Sequence, residues 1–304
     1  MPTQHDRTSI ITGGSEGLGY QDALALARAG GDVIIAARNP ERGATAVATI
    51  RSAVPGANVR FEPLDLANLA SIAAFATRMR SERPHLDLLI NNAGVMTPPR
   101  RSTTADGFEL QFGVNFLGHV VLTAHLMPLL QLAPQPRVVT LSSFANRSGA
   151  INFEDLQWER RYAPLPAYAQ SKLADLIFAL ELQRRSDAGR WGVTSIAAHP
   201  GAARTNLIPN GSGKNSLPGM ISRLLGPILF QSAAQGALPT LFAATSPEAK
   251  AGAYYGPNRL RETRGNVALA RIPPRAKDHS AATRLWERAL ELTGAVFPLR
   301  EPAH

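Results

Sequence analysis

Tyr168 and Lys172 stand four residues apart in the run Tyr-Ala-Gln-Ser-Lys, which places both on one face of a helix. A free phenol titrates near 10, too high for efficient acid–base work at neutral pH. A lysine ammonium about 4 Å from a phenol, at an effective dielectric of about 20, favours the phenolate by roughly 4 kcal/mol. That is enough to turn a tyrosine into a proton donor and acceptor. The pair alone is a weak signal, because surface pairing gives the same spacing often. Here other polar residues accompany it in chain order: Asn91-Asn92-Ala93-Gly94, Asn115, Ser142-Ser143 and Pro200-Gly201.

A second constellation lies near the start of the chain, in Thr12-Gly13-Gly14-Ser15-Glu16-Gly17-Leu18-Gly19. Glycines at 13, 17 and 19 permit a tight turn and close approach of backbone to a pyrophosphate at the following helix N-terminus. Where an acid would bind the ribose 2′-hydroxyl of NAD, about 20 residues on, the chain reads Ile35-Ala36-Ala37-Arg38. Ala37 leaves room for a 2′-phosphate and Arg38 can pair with it, helped by Arg42. Such a charge-assisted bond, roughly 1.5–3 kcal/mol, corresponds to about a 10- to 150-fold preference for NADP(H).

These residues need a frame, and the hydrophobic pattern supplies one. Short apolar runs predict strands over Thr8–Thr12, Val33–Ala37, Val59–Leu64, Leu86–Ile90, Val138–Leu141 and Val193–Ala198. Between them lie helical stretches over Gly17–Ala29, Glu41–Ser52, Leu69–Arg83, Phe108–Leu132 and Ala167–Arg185. Strands apolar on both sides belong to a parallel sheet covered by helices on both faces, so the pattern predicts a doubly wound α/β fold in a single domain. Beyond it come a Gly/Ser/Asn/Pro-rich loop from Asn206 to Gly219, a helix over Gln235–Thr245, a final strand over Ala253–Tyr255 and an amphipathic helix over Ser280–Thr293.

Taken together in this order, the motifs resemble the short-chain dehydrogenase/reductase family, over roughly residues 8 to 205. The family's Thr-Gly-x-x-x-Gly-x-Gly corresponds to residues 12–19, its Asn-Asn-Ala-Gly to 91–94 and its Tyr-x-x-x-Lys to 168–172. Ser143 and Tyr168 stand 25 positions apart, and this long spacing, with the insert Ile151 to Tyr162, resembles the retinol dehydrogenase-like branch. The resemblance implies a Rossmann-like sheet and NADP(H)-dependent interconversion of a carbonyl and an alcohol. It implies Tyr168 as proton donor and acceptor, and Ser143 rather than Ser142 as the hydrogen-bond donor to the reacting oxygen. Lys172 would bind the nicotinamide ribose and Asn115 would anchor a water-borne proton relay. Cofactor contacts are implied for Gly13, Ser15, Gly17, Leu18, Gly19, Arg38, Asp65, Leu66, Asn92, Ala93, Gly94, Pro200, Gly201 and Thr205. Asp155, Trp158 and His199 are expected to pack or cap.

The segment from 206 to 230, with Leu207, Ile208, Leu217 and Met220, is expected to wall a pocket for a hydrophobic carbonyl or alcohol. Residues 251–304 extend the chain past the matched core, and a homodimer or homotetramer is implied by family likeness. A carbon–carbon double-bond reductase is an alternative, although the cysteine such enzymes carry near the site has no counterpart, since the chain has no Cys. A nucleotide sensor is another, although the Tyr/Lys pair is complete.

Composition excludes more. With no cysteine there is no disulfide, thiolate nucleophile or Cys-based zinc site, and no metal is expected. The net charge of +9 comes from 32 basic residues, of which only four are Lys. The Arg residues are scattered, without the blocks or interleaved aromatics of a nucleic-acid surface. No 18-residue run is uninterruptedly apolar and the first seven residues lack a secretory h-region, so a cytoplasmic protein without a membrane span is expected.

Overall fold

A computed structural model describes residues 1–202 and 231–297. The sheet runs β1 (Thr8–Thr12), β2 (Asp32–Ala37), β3 (Val59–Pro63), β4 (Leu88–Asn91), β5 (Arg137–Leu141), β6 (Thr194–Ala198), β7 (Tyr254–Arg259) and β8 (Arg264–Leu269). The helices are α1 (Gly17–Arg28), α2 (Pro40–Ala53), α3 (Leu69–Glu82), α4 (Gly118–Leu132), α5 (Pro164–Gly189), α6 (Ala233–Thr245) and α7 (His279–Thr293).

The spatial order of strands is β3-β2-β1-β4-β5-β6-β7-β8. All neighbours pair in parallel except β7 with β8. Order reverses between β1 and β4, so the loops leaving those two strands diverge and open the crevice where this class of sheet binds ligands. Successive side chains feed opposite faces. Ile10 and Ile34 enter the core under α3, α4, α5 and α7, whereas Ile11 and Ile35 enter the one under α1, α2 and α6. The expected doubly wound sheet with helices on both faces is the fold observed.

The differences are local. Strand β8 is an addition: Arg264–Leu269 returns antiparallel along β7, a hairpin that its partly exposed residues, without an apolar alternation, do not announce. The long fourth helix is not uniformly α-helical, since Phe112–Leu117 form a π-helical turn. Helix Phe112–Leu132 has the length and hydropathy of a membrane span, yet 89% of its apolar window is buried inside the protein. It is a core helix, apolar all round because it is covered all round.

Candidate active site

Asparagine and threonine side chains fix the glycine-rich turn after β1. Thr12 Oγ1 accepts the backbone N–H of Asn92 and of Ala93, each at 2.9 Å, and Asn92 Nδ2 donates to the Thr12 carbonyl at 2.7 Å. The end of β1 is thereby stitched to the end of β4. Gly13 and Gly17 take left-handed backbone conformations, φ +66° and +61°. At Gly19 a Cβ would lie 2.5 Å from Asn92 Nδ2 and 2.7 Å from the Gly13 carbonyl. The glycines are therefore required by close packing in the turn itself, and the same packing opens backbone at the N-terminus of α1. Ser15 and Leu18 line this turn, half-buried.

Arg38 emerges exposed at the end of β2, directly after the buried Ala37, and no carboxylate pairs with it among the described residues. Arg42, by contrast, is engaged: its guanidinium meets Glu16 of the glycine turn at 3.0 Å. The helper role expected of Arg42 therefore competes with an ion pair already made. Asp65 follows β3, half-buried, with one oxygen accepting Ala67 N–H, and Leu66 packs under Gly118 of α4.

Asn115 lies within the π-helical turn. Both of its side-chain N–H groups are spent, Nδ2 donating to the Val95 carbonyl and to Ser171 Oγ, while Oδ1 accepts Val95 N–H at 2.7 Å. Its backbone carbonyl accepts His119 Nδ1–H at 2.7 Å. That contact decides the tautomer of His119, because a carbonyl can only accept. Nε2 must then accept from Thr12 Oγ1, 2.9 Å away. Burial pulls His119 down to about 3, so the ring is neutral at any working pH. One imidazole thus ties the glycine turn to the π-helical turn. Four residues after Asn115 is its only sequence signal, and the sequence reading missed it.

Lys172 is buried, and its ammonium donates to the Leu141 carbonyl at 3.0 Å and to Asp175 at 2.8 Å. Burial opposes its charge, but Asp175 and Tyr168 outweigh burial and hold the ammonium above the ordinary lysine range. For Asp175 burial wins, pushing its carboxyl up to about 6. The pair is an ion pair at neutral pH, with the lysine charge the firmer of the two. Two of the three ammonium protons are spent, leaving one for a ligand. A Cβ on Gly94 would be 3.7 Å from that nitrogen and 3.3 Å from Asn115 Oδ1, so Gly94 keeps the approach open. Asp175, three residues on from Lys172 along the same helix face, is a second residue the sequence reading missed.

The two serines separate cleanly. Ser142 is buried, donating to the Lys172 carbonyl at 2.6 Å and accepting from Asn146. Ser143 is half-buried, and its Oγ only accepts Ala145 N–H, so its hydroxyl proton has no partner among the described residues. Tyr168 is half-buried on α5 one turn before Lys172. Pro200-Gly201 follows β6, with Gly201 at φ +66°. Thr205 and the segment 206–230 lie outside the described residues.

The insert is also built as expected. Asp155 caps it by accepting Glu159 and Arg160 N–H. Gln157 accepts Glu109 N–H, and Tyr162 accepts from Gln111 and donates to the Pro98 carbonyl. Burial pushes Tyr162 up to about 12, so it stays a hydroxyl donor. These bonds strap the insert to the stretch after Val95. No cluster of His, Asp and Glu capable of holding a metal occurs among the described residues.

Comparison with known proteins identifies the family and the fold. The family model described as short chain dehydrogenase matches residues 7–213. Retinol dehydrogenase 13 of Mus musculus is 41% identical over 302 residues, covering 97% of this chain and 86% of that protein. Polyprenol dehydrogenase of the same organism is 40% identical over 97% and 86%. Among solved structures, an uncharacterized protein from Mycobacterium paratuberculosis matches with TM-score 0.81 and 38% identity, covering 98% of this chain and 97% of that one. The RhlG/NADP complex from Pseudomonas aeruginosa shares the fold at TM-score 0.66 and 22% identity, over 83% and 94%.

Proposed function

The chain belongs to the short-chain dehydrogenase family and is an oxidoreductase; from that premise we propose that it interconverts an apolar carbonyl compound and its alcohol with NADP(H). The observation that carries this reading is the meeting of Lys172, Gly94 and Asn115 at the mouth of the crevice, beside a glycine turn tied to the same point through Thr12 and His119. The residues present suit the cofactor. Glycines without room for a Cβ leave backbone free for its phosphates, and an exposed Arg38, unpaired among the described residues and beside the small Ala37, suits a 2′-phosphate. The RhlG complex, whose fold this chain shares, holds NADP.

Bound NADP(H) would exchange a hydride with the substrate carbon. The chain's own residues handle the oxygen. Ser143 donates its unpaired hydroxyl proton to that oxygen as charge develops on it. Tyr168 gives the oxygen its proton in reduction and removes it in oxidation. Lys172, held positive by Asp175, stabilises the phenolate left behind and uses its remaining N–H on the nicotinamide ribose. The Asn115 amide spends both N–H groups on Val95 and Ser171, so a relay water at this point would donate to an oxygen of Asn115 rather than accept from its side chain.

The relatives named for retinol and polyprenol act on long apolar alcohols, and an isoprenoid alcohol or aldehyde fits this reading. The proposal places the protein in the cytoplasm without a nucleic-acid partner. Many arginines are spent on the chain's own carboxylates, among them Arg60 on Glu62 and Glu82, and Arg184 and Arg185 on Glu181. The test is NADPH consumption at 340 nm against apolar ketones, aldehydes including all-trans-retinal, and enones, with NADH in parallel. Carbonyl turnover preferring NADPH is expected. Turnover of enones alone, at the carbon–carbon bond, would overturn the reading.

A further inference from the structure

The hairpin β7–β8 lies beyond the catalytic motifs, yet its turn is built against the Pro200-Gly201 turn. Three successive residues of that hairpin turn, Leu260, Arg261 and Glu262, all take left-handed backbone conformations, φ +48°, +56° and +68°. Non-glycine residues rarely adopt this conformation singly, and such strain persists only where surrounding contacts enforce it. Here they do. The Thr263 carbonyl accepts Ala202 N–H at 2.8 Å, and a Cβ on Gly201 would lie 2.4 Å from that same oxygen. Arg147 donates to the Arg261 carbonyl.

The strained turn aims the Glu262 carboxylate inward, at a fully buried His199. His199 Nε2 lies 3.1 Å from Glu262, and because a carboxylate only accepts, Nε2 carries the proton. Nδ1 is thereby left to accept Gly201 N–H, at 3.2 Å. Arg147 pairs with the same carboxylate, Arg271 N–H donates to its other oxygen, and the Tyr254 ring packs on the imidazole at 5.1 Å. Burial keeps His199 neutral despite the neighbouring carboxylate.

We propose that Glu262 is a positioning residue for the nicotinamide end of the cofactor: it fixes the His199 tautomer, which fixes the Gly201 N–H and so the Pro200-Gly201 turn. This rests on the cofactor reading above, in which Pro200 and Gly201 contact the cofactor; the turn leaves β6, across the β1/β4 crevice from β2 and Arg38, and so faces the nicotinamide half. The adenosine end, held by the glycine turn and Arg38 across the sheet, should not sense Glu262.

Calorimetric titration of Glu262→Ala and of the isosteric Glu262→Gln with NADPH and with 2′,5′-ADP, which lacks the nicotinamide half, separates the two ends. The expected result is NADPH binding weakened about tenfold in the alanine variant and less in the glutamine variant, which can still accept from His199. Binding of 2′,5′-ADP should be unchanged in both. If the alanine variant fails to fold, the glutamine variant decides, with an expected loss of about threefold for NADPH alone. Unchanged NADPH affinity, or equal weakening of both ligands, would overturn the proposal. A wild-type protein that binds neither ligand would instead overturn the cofactor reading on which it stands.

Discussion

At the scale of single residues, the site is a set of side chains whose hydrogen bonds are almost all assigned, so the few unassigned ones define what is left for ligand. Arg38 is the clearest. It is exposed and unpaired among the described residues, while Arg42 nearby is held by Glu16. Arg38→Ala should therefore raise the KM for NADPH about 10- to 150-fold and leave that for NADH nearly unchanged. Steady-state kinetics with both cofactors check this, and equal effects would remove the 2′-phosphate assignment. Tyr168 and Lys172 could be picked out of the sequence because their chemistry is local and their spacing helical, whereas the role of Asn115 came only through the family resemblance. His119 and Asp175 could not, because an apolar helix face gives no sign that a lone polar residue on it points at a partner. Yet His119 makes a prediction of its own. The native ring stays neutral down to about pH 3, whereas in the unfolded chain it takes a proton near 6.5. The unfolded state then binds more protons across that window, so stability falls as pH drops through it, by about 2 kcal/mol at pH 5. His119→Gln should lose stability less steeply between pH 7 and pH 5, measured by urea denaturation at each pH. A slope equal to wild type would contradict the buried neutral imidazole.

At the scale of elements, the glycine turn, the β4 loop and the π-helical turn form one hydrogen-bonded unit running Asn92–Thr12–His119–Asn115. A π-helical turn widens the helix by one residue per turn, and such turns concentrate at functional sites. Nothing in the run Phe-Gly-Val-Asn-Phe-Leu marks it, and the groups that clasp the Asn115 side chain there, Val95 and Ser171, lie far off in sequence. The glycines, in contrast, were legible, because their spacing reflects contacts within the turn. Gly19→Ala would push a Cβ against the Gly13 carbonyl and Asn92. The expected outcome is at least a tenfold loss of NADPH affinity by calorimetry, with about 1–3 kcal/mol of destabilisation. Full affinity in that variant would show the turn to be softer than its packing indicates.

At the scale of the whole molecule, the glycine turn, Arg38, Asp65, Asn92, Ser143 and Pro200-Gly201 all follow the C-terminal ends of parallel strands, on either side of the point where β1 and β4 diverge. The parallel core was readable from alternating apolar strands and helices. Of the terminal hairpin only its first strand was, as β8 shows no buried apolar alternation and pairs only with β7. The chain's last described helix completes the other side. On α7, Trp286 stacks against Phe178 of α5 at 5.7 Å and against Phe297, which in turn stacks on Trp191. Any homodimer or homotetramer built on this patch of α5 would have to displace α7. Trp286→Ala should destabilise by about 3–5 kcal/mol and lower the Tm by roughly 5–15 °C, with turnover at low temperature retained. A scan by differential calorimetry checks it, and an unchanged Tm would show α7 to be dispensable.

The central claim is that the α5 phenol moves the proton while the crevice residues bind NADPH independently of it. The most direct measurement pairs NADPH titration with NADPH turnover of an accepted apolar aldehyde, in wild type and in Tyr168→Phe. The expected result is unchanged NADPH affinity with turnover reduced by at least a thousandfold, roughly the upper range of general acid catalysis. A variant that still turns over within tenfold of wild type would contradict the mechanism at its core.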